Sequence, residues 1–179
     1  MCVPVEIYCA STYGSTRQYA AELARRLGVT AHELDAEALK RQDLGSVDAP
    51  LIVLSPTFGP QIEAADVLAD CDLGSRPTAA VAVGMSLPEA ARSRDQMAGK
   101  LKDKPQVARF YLPGRLNYSE ISRAHRAVMW GVIRALKAKP KKSDNDAAMI
   151  AAYDKDVDRV DFAELDALEA WARKHAPRA

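Results

Sequence analysis

Ser11, Thr12, Gly14, Ser15 and Thr16 stand close together near the start of the chain. They offer hydroxyls and unobstructed backbone N–H groups. The residues before them, Val5 to Cys9, are apolar or β-branched for the most part, and a helical period begins at Thr16, so the small polar residues occupy a strand-to-helix turn. A helix N-terminus presents unpaired N–H groups and partial positive charge, which makes such a turn a place for an anion. A phosphate monoester suits this set of donors. Arg17 points the same way, because a cation in the first helical turn opposes the dipole unless an anion sits nearby. The same residues would also suffice merely to cap a helix, and only a second wall separates the two readings.

Two further loops follow apolar runs. Leu51, Ile52, Val53 and Leu54 are continuous, as in a parallel strand covered on both faces, and Ser55, Pro56, Thr57, Phe58, Gly59 and Pro60 close the run. The run 79–84 (AAVAVG) leads into Met85, Ser86, Leu87 and Pro88. Phe58, an aromatic between a loop threonine and glycine, either faces a ring ligand or plugs the core. Other nucleotide folds fail on these residues. A dinucleotide fold calls for GxGxxG after the first strand, and only Gly14 is present; a Walker A loop needs lysine before its hydroxyl residue, where Ser15 precedes Thr16. A phosphorelay receiver needs an aspartate after the third strand, where Ser55 and Pro56 stand.

The elements that must position these loops alternate. Tyr19, Ala20, Leu23, Ala24 and Leu27 make one helical stripe over 16–27, with Gly28 as its stop. Residues 29–34 read as a short outer strand, 35–48 as polar with Leu39, Leu44 and Val47 turned inward, 62–70 as a helix, 88–101 as helix-compatible and 107–112 as a fifth strand. Residues 119–137 form a long amphipathic helix with Ile121, His125, Val128, Val132 and Leu136 on one face; 137–143 are a basic linker, 144–153 show no clear period, and 161–174 form a last helix that turns Leu165, Leu168 and Trp171 inward. Strands alternating with helices imply parallel pairing with right-handed crossovers, hence a doubly wound three-layer α/β/α sandwich. Five strands suit the order 2-1-3-4-5, whose crevice lies outside the C-terminal ends of strands 1 and 3. A length of 179 residues suits one domain over 1–179.

Lysine and arginine (25) nearly cancel aspartate and glutamate (24), so no overall field draws the chain to nucleic acid. The charge is uneven, however. Residues 123–142 hold Arg123, Arg126, Arg134, Lys137, Lys139, Lys141 and Lys142 and no carboxylate, whereas 144–169 hold nine acids. The plain expectation is a solvated basic face complementary to the acidic segment. The sharper one is a peripheral membrane or partner surface over 119–142, because a basic amphipathic helix with Met129 and Trp130 suits an interface. Without an apolar run near the roughly 18 residues a spanning helix needs, or a leader pattern, the expected location is cytoplasmic. Cys2, Cys9 and Cys71 have neither a CxxC spacing nor nearby histidine pairs, so they read as buried or incidental thiols rather than a disulfide or zinc framework. Asp154, Asp156 and Asp158 imitate the start of an EF-hand loop, but Arg159 replaces its glycine and Leu165 its glutamate, which excludes calcium there. His32, His125 and His175 are scattered, with His125 read as a core histidine, so no catalytic side chain and no metal ligand is expected.

Taken together, the 11–16 run (STYGST) resembles the flavodoxin phosphate loop [ST]-x-x-G-x-T, and 55–59 (SPTFG) resembles the loop that lies against the flavin ring. Residues 110–118 (FYLPGRLNY), the basic helix after them and 157–162 (VDRVDF) resemble the subgroup that includes the menaquinone-dependent protoporphyrinogen oxidases. The resemblance covers most of the chain. It implies a flavodoxin-like five-stranded sheet and FMN as cofactor. Ser11, Thr12, Gly14, Ser15 and Thr16 would hold the phosphate, with Tyr13 contributing backbone. Pro56, Thr57, Phe58 and Gly59 would line one edge and face of the isoalloxazine, and Met85, Ser86 and Leu87 the other side. Carrier flavodoxins usually present an aromatic in that third loop, and this chain has none there. A net charge of +1 also lacks the acidic field that steers a carrier to basic partners. The resemblance therefore implies an oxidoreductase of quinone or protoporphyrinogen-oxidase type, with an electron carrier and an FMN-free binding module of the same fold as the alternatives.

Overall fold

The computed structural model describes residues 3–177. Five strands lie parallel in one sheet: β1 (Glu6–Cys9), β2 (Ala31–Glu33), β3 (Leu51–Phe58), β5 (Thr78–Gly84) and β6 (Ala108–Pro113), in the order β2-β1-β3-β5-β6. In core-strand terms this is the expected 2-1-3-4-5. The register sets Ile7 beside Ile52 and Val53 beside Ala80.

Successive residues of a strand face opposite ways, so each central strand feeds two cores. Ile7, Ile52, Leu54, Ala79 and Val81 pack beneath α1 (Ser15–Leu27) and α7 (Asp166–His175); Leu51, Val53, Ala80 and Ala82 pack against α3 (Glu63–Asp70) and the chain after α4 (Pro88–Arg94). Tyr19, Leu23 and Leu27 of α1 are fully buried, each stabilising the fold by about 1.5–3 kcal/mol. The helix ends where Gly28 adopts φ +73° and its N–H bonds the Ala24 carbonyl, a left-handed cap that glycine makes without steric cost.

Several boundaries differ from the sequence reading. The second loop is largely strand: β3 runs to Phe58, because β5 extends to Gly84 and gives Ser55 and Pro56 partners in Ala82 and Val83. Gly59 (φ +60°) and Pro60 then turn the chain back into β4 (Gln61–Ile62), antiparallel to β3, so the following helix starts at Glu63 rather than at Ile62. Helix α4 stops at Arg94 because Asp95 is left-handed and its carboxylate is held by Arg109 and the Tyr111 hydroxyl. A short helix, α2 (Ala36–Lys40), follows β2. The segment without a clear period is α6 (Asp144–Ala151), started by a capping box between Ser143 and Asp146. A small ribbon pairs β7 (Arg115–Leu116) with β8 (Val157–Asp158).

The helix expected over 119–137 is α5 (Arg123–Ala138). Of its expected face Ile121 is buried and His125 and Leu136 are half-buried, whereas Val128 is 61% and Val132 37% exposed. Leu165 and Leu168 of the last turn and helix are buried as expected, and Trp171 is half-buried against Phe110. Cys9 and Cys71 are buried free thiols, and Cys2 lies outside the described residues. No helix among the described residues is long and apolar enough to cross a membrane.

Candidate functional site

The three loops meet at the C-terminal edge of the sheet. The first begins at Ala10, whose N–H is held by the Leu54 carbonyl at 3.0 Å, and Gly14 then adopts φ +87° and stands as N-cap of α1. A Cβ there would meet nothing within 4 Å. Glycine is thus needed for its backbone angle and not for space. The cap supplies no side-chain bond, no acid lies in the first turn, and Ser15 and Thr16 are nonetheless buried at 7% and 1%. Helices are normally capped by a side chain or complemented by a carboxylate at this end. Here the Ser11 hydroxyl of the same loop accepts the Arg17 N–H at 3.3 Å. This donor set can take a phosphate monoester. Arg17 itself pairs with Glu33 on the exposed side, so its charge is already answered by the chain.

The second loop borders the first through aromatic rings. Tyr13 and Phe58 meet edge-on at 6.4 Å. Deeper in, the buried Ser55 hydroxyl accepts the Ala64 N–H and fixes the start of α3. Pro56, Thr57 and Phe58 are half-buried and Gly59 exposed, so Phe58 is a wall of the crevice and not a core plug. Thr57 donates to the Val83 carbonyl at 3.4 Å, and a Cβ on Gly84 would lie 2.2 Å from the Thr57 hydroxyl. Only glycine lets the second and third loops approach this closely. The cavity behind them, lined by Thr57, Gly84, Ser86 and Tyr111, holds about 20 Å³, room for a water and not for a ring. A ring must lie on the open side.

Residues far along the chain hold the third loop. The Leu87 N–H donates to the buried Asn145 Oδ1 at 2.8 Å, and Arg159 donates to the Met85 carbonyl at 2.7 Å and to Ala148 at 3.3 Å. Met85, Ser86 and Leu87 are half-buried with no aromatic among them.

The structure also corrects the reading of His125 as a core histidine away from the crevice. Helix α5 brings it, half-buried, over Phe58 with ring centres 5.0 Å apart and planes at 21°, and its Nδ1 lies 2.6 Å from the Tyr13 hydroxyl. Burial pushes the Tyr13 phenol up from its ordinary range, so it keeps its proton at neutral pH and can share it with the imidazole. His32 lies beside Tyr8 on the outer strand, and His175 bonds within α7, both away from the crevice. Cys9, close to the first loop, is buried, which raises its thiol together with Glu33. It stays protonated and unreactive at neutral pH. Asp154, Asp156 and Asp158 bond Arg126, Ser119 and Arg115 respectively.

A family model described as Flavodoxin domain matches residues 7–144, more than half of the chain. The chain belongs to the flavodoxin domain family. Flavodoxin domains typically bind a flavin, and the strand order and the Gly14 turn into α1 fit that use. None of the curated proteins compared matches the chain. Within this flavodoxin domain, His125, Asn145 and Arg159 are the crevice residues that sequence reasoning missed. The Ser143-x-x-Asp146 capping box could have revealed α6 and hence the neighbourhood of Asn145; no local signal marks His125 or Arg159.

Proposed function

We propose that the chain is an FMN-dependent oxidoreductase. Ser11, Thr12, Gly14, Ser15 and Thr16 hold the phosphate, with Tyr13 contributing backbone; Pro56, Thr57, Phe58 and Gly59 line one edge and face of the isoalloxazine; Met85, Ser86 and Leu87 line the other side. The observation that carries the reading is the start of α1, where Gly14 turns the chain, Ser15 and Thr16 are buried, and neither an N-cap side chain nor an acid of the first turn complements the helix. The flavin supplies the redox chemistry when bound. This chain's residues orient it, keep water from one side and set the hydrogen bonds at its edge.

The electron acceptor or substrate is a quinone or a protoporphyrinogen-like ring. The third loop has no aromatic to cover the flavin, which leaves a face for a flat apolar molecule, and the net charge of +1 provides no acidic field for steering a basic redox protein. His125 adds a hydrogen-bonding imidazole beside Phe58. The likeness of residues 110–118 and 157–162 to the menaquinone-dependent protoporphyrinogen oxidases supports the same class.

The absorption spectrum of the purified chain, with and without added FMN, tests the cofactor: a bound flavin band is expected, and its absence in both preparations defeats the site. With flavin bound, anaerobic reduction followed by reoxidation distinguishes the substrates. Rapid reoxidation by a quinone supports the enzyme, and reoxidation only by a ferredoxin-type protein makes the chain a carrier.

A further inference from the structure

Helix α5 has an apolar face with no protein against it. On its inner side Ile133 is buried and His125, Met129 and Leu136 are half-buried. On its outer side Ala124, Ala127, Val128, Gly131, Val132 and Ala135 are exposed at three- and four-residue spacing, so they form one continuous stripe. Trp130, exposed at 53%, stands two residues from each valine and so on another side of the helix. Large exposed apolar residues concentrated on one helix mark an interaction surface.

Charge decides what meets it. Of the seven cations between Arg123 and Lys142, Arg126 pairs with Asp154 and Lys139 with Asp146, while Arg123, Arg134, Lys137, Lys141 and Lys142 have no carboxylate partner among the described residues. The acidic segment does not neutralise them, because much of it is engaged elsewhere: Asp158 with Arg115, Glu164 with Arg92, and Asp166 and Glu169 with Arg26. The Arg134 guanidinium lies over the Trp130 ring at 5.2 Å, a cation beside an amphipathic ring as at a lipid headgroup boundary.

We propose that the outer face of α5 lies in the plane of an anionic lipid bilayer, with Val128 and Val132 at the acyl boundary and Arg123, Arg134, Lys141 and Lys142 among the headgroups. A second copy of the helix would set five uncompensated cations against five of the same sign. An acidic protein would answer the charge but has no need of the valine stripe, whereas an anionic bilayer answers both features. The placement goes beyond the redox reading and does not depend on bound flavin. It also sets the crevice beside the membrane, because His125, on the inner side of the same helix, stacks on Phe58.

Co-sedimentation of the full chain with vesicles of phosphatidylcholine alone, and of phosphatidylcholine with phosphatidylglycerol, tests it. The chain is expected to pellet with the anionic vesicles at low salt and to be released as salt rises. Val128→Glu with Val132→Glu, at exposed positions that leave the unfolding midpoint unchanged, and separately Lys141→Glu with Lys142→Glu, are each expected to weaken binding at least about tenfold. No pelleting with anionic vesicles overturns the proposal, as does binding that both variants leave intact. Sedimentation velocity showing a dimer that the valine variant dissolves assigns the stripe to a second copy instead.

Discussion

The first and third loops face one crevice and are held in opposite ways. The first is made by neighbours in sequence: Gly14 takes the one backbone angle that turns β1 into α1, and Ser15 and Thr16 follow directly. The third is pinned from a distance, its Leu87 N–H by Asn145, 58 residues on, and its Met85 carbonyl by Arg159, 74 residues on. Local backbone chemistry therefore builds the first loop, and tertiary contact holds the third.

Substitutions can break that contrast. The largest effect is expected from Asn145→Ala combined with Arg159→Ala, which leaves a backbone N–H and C=O without partners. This should lower the unfolding free energy by about 2–4 kcal/mol, read from the urea midpoint, and should weaken riboflavin and FMN alike. Gly14→Val forces a β-branched residue to φ +87°, at a strain of about 1–2 kcal/mol. Titration should show FMN affinity falling roughly tenfold or more while riboflavin, without a phosphate, is unchanged; equal loss of both would erase the distinction between the loops.

Tyr19 gives a smaller effect with a defined sign. Its hydroxyl donates to the Pro113 carbonyl at 2.7 Å and accepts the Asp161 N–H at 2.8 Å, and burial pushes the phenol up to about 12 from an ordinary value of about 10. The folded state keeps its proton where the unfolded chain has lost it. Its contribution is therefore complete below about pH 10 and declines between about pH 10 and pH 12, by roughly 1 kcal/mol at pH 11. Tyr19→Phe should flatten that alkaline decline in denaturation curves. The smallest effect is expected from His125→Ala, which removes the ring stacked on Phe58 at about 0.5–1 kcal/mol. Tyr13, less buried without the imidazole, should titrate closer to its ordinary range when followed by its ultraviolet absorbance.

The sheet order was legible because runs such as 51–54 are apolar without alternation and the strands are separated by helical stretches. That placed the crevice at the ends of β1 and β3, where Tyr13 and Phe58 meet. Amphipathicity, by contrast, misled on α5: periodicity reports that a helix has an apolar stripe but not whether protein lies against it, and Val128 and Val132 face outward. For the same reason His125 was placed in the core, although only the chain's return across the first loop brings it to Phe58. Asn145 and Arg159 were illegible because each acts through backbone groups of another segment, which leave no mark on residue type.

The dependence of the third loop on residues 145 and 159 also carries a consequence for biosynthesis. A chain is made from its N-terminus and folds in that order as it emerges. Strands β1 to β6 are complete by Pro113, so every strand of the main sheet is made before Asn145 and Arg159. Until those two residues are added, Leu87 and Met85 respectively lack the partners that fix their backbone. The last fifth of the chain thus sets when the third loop is fixed, and a polypeptide released before residue 159 would keep the Gly14 turn without a firmly held third loop.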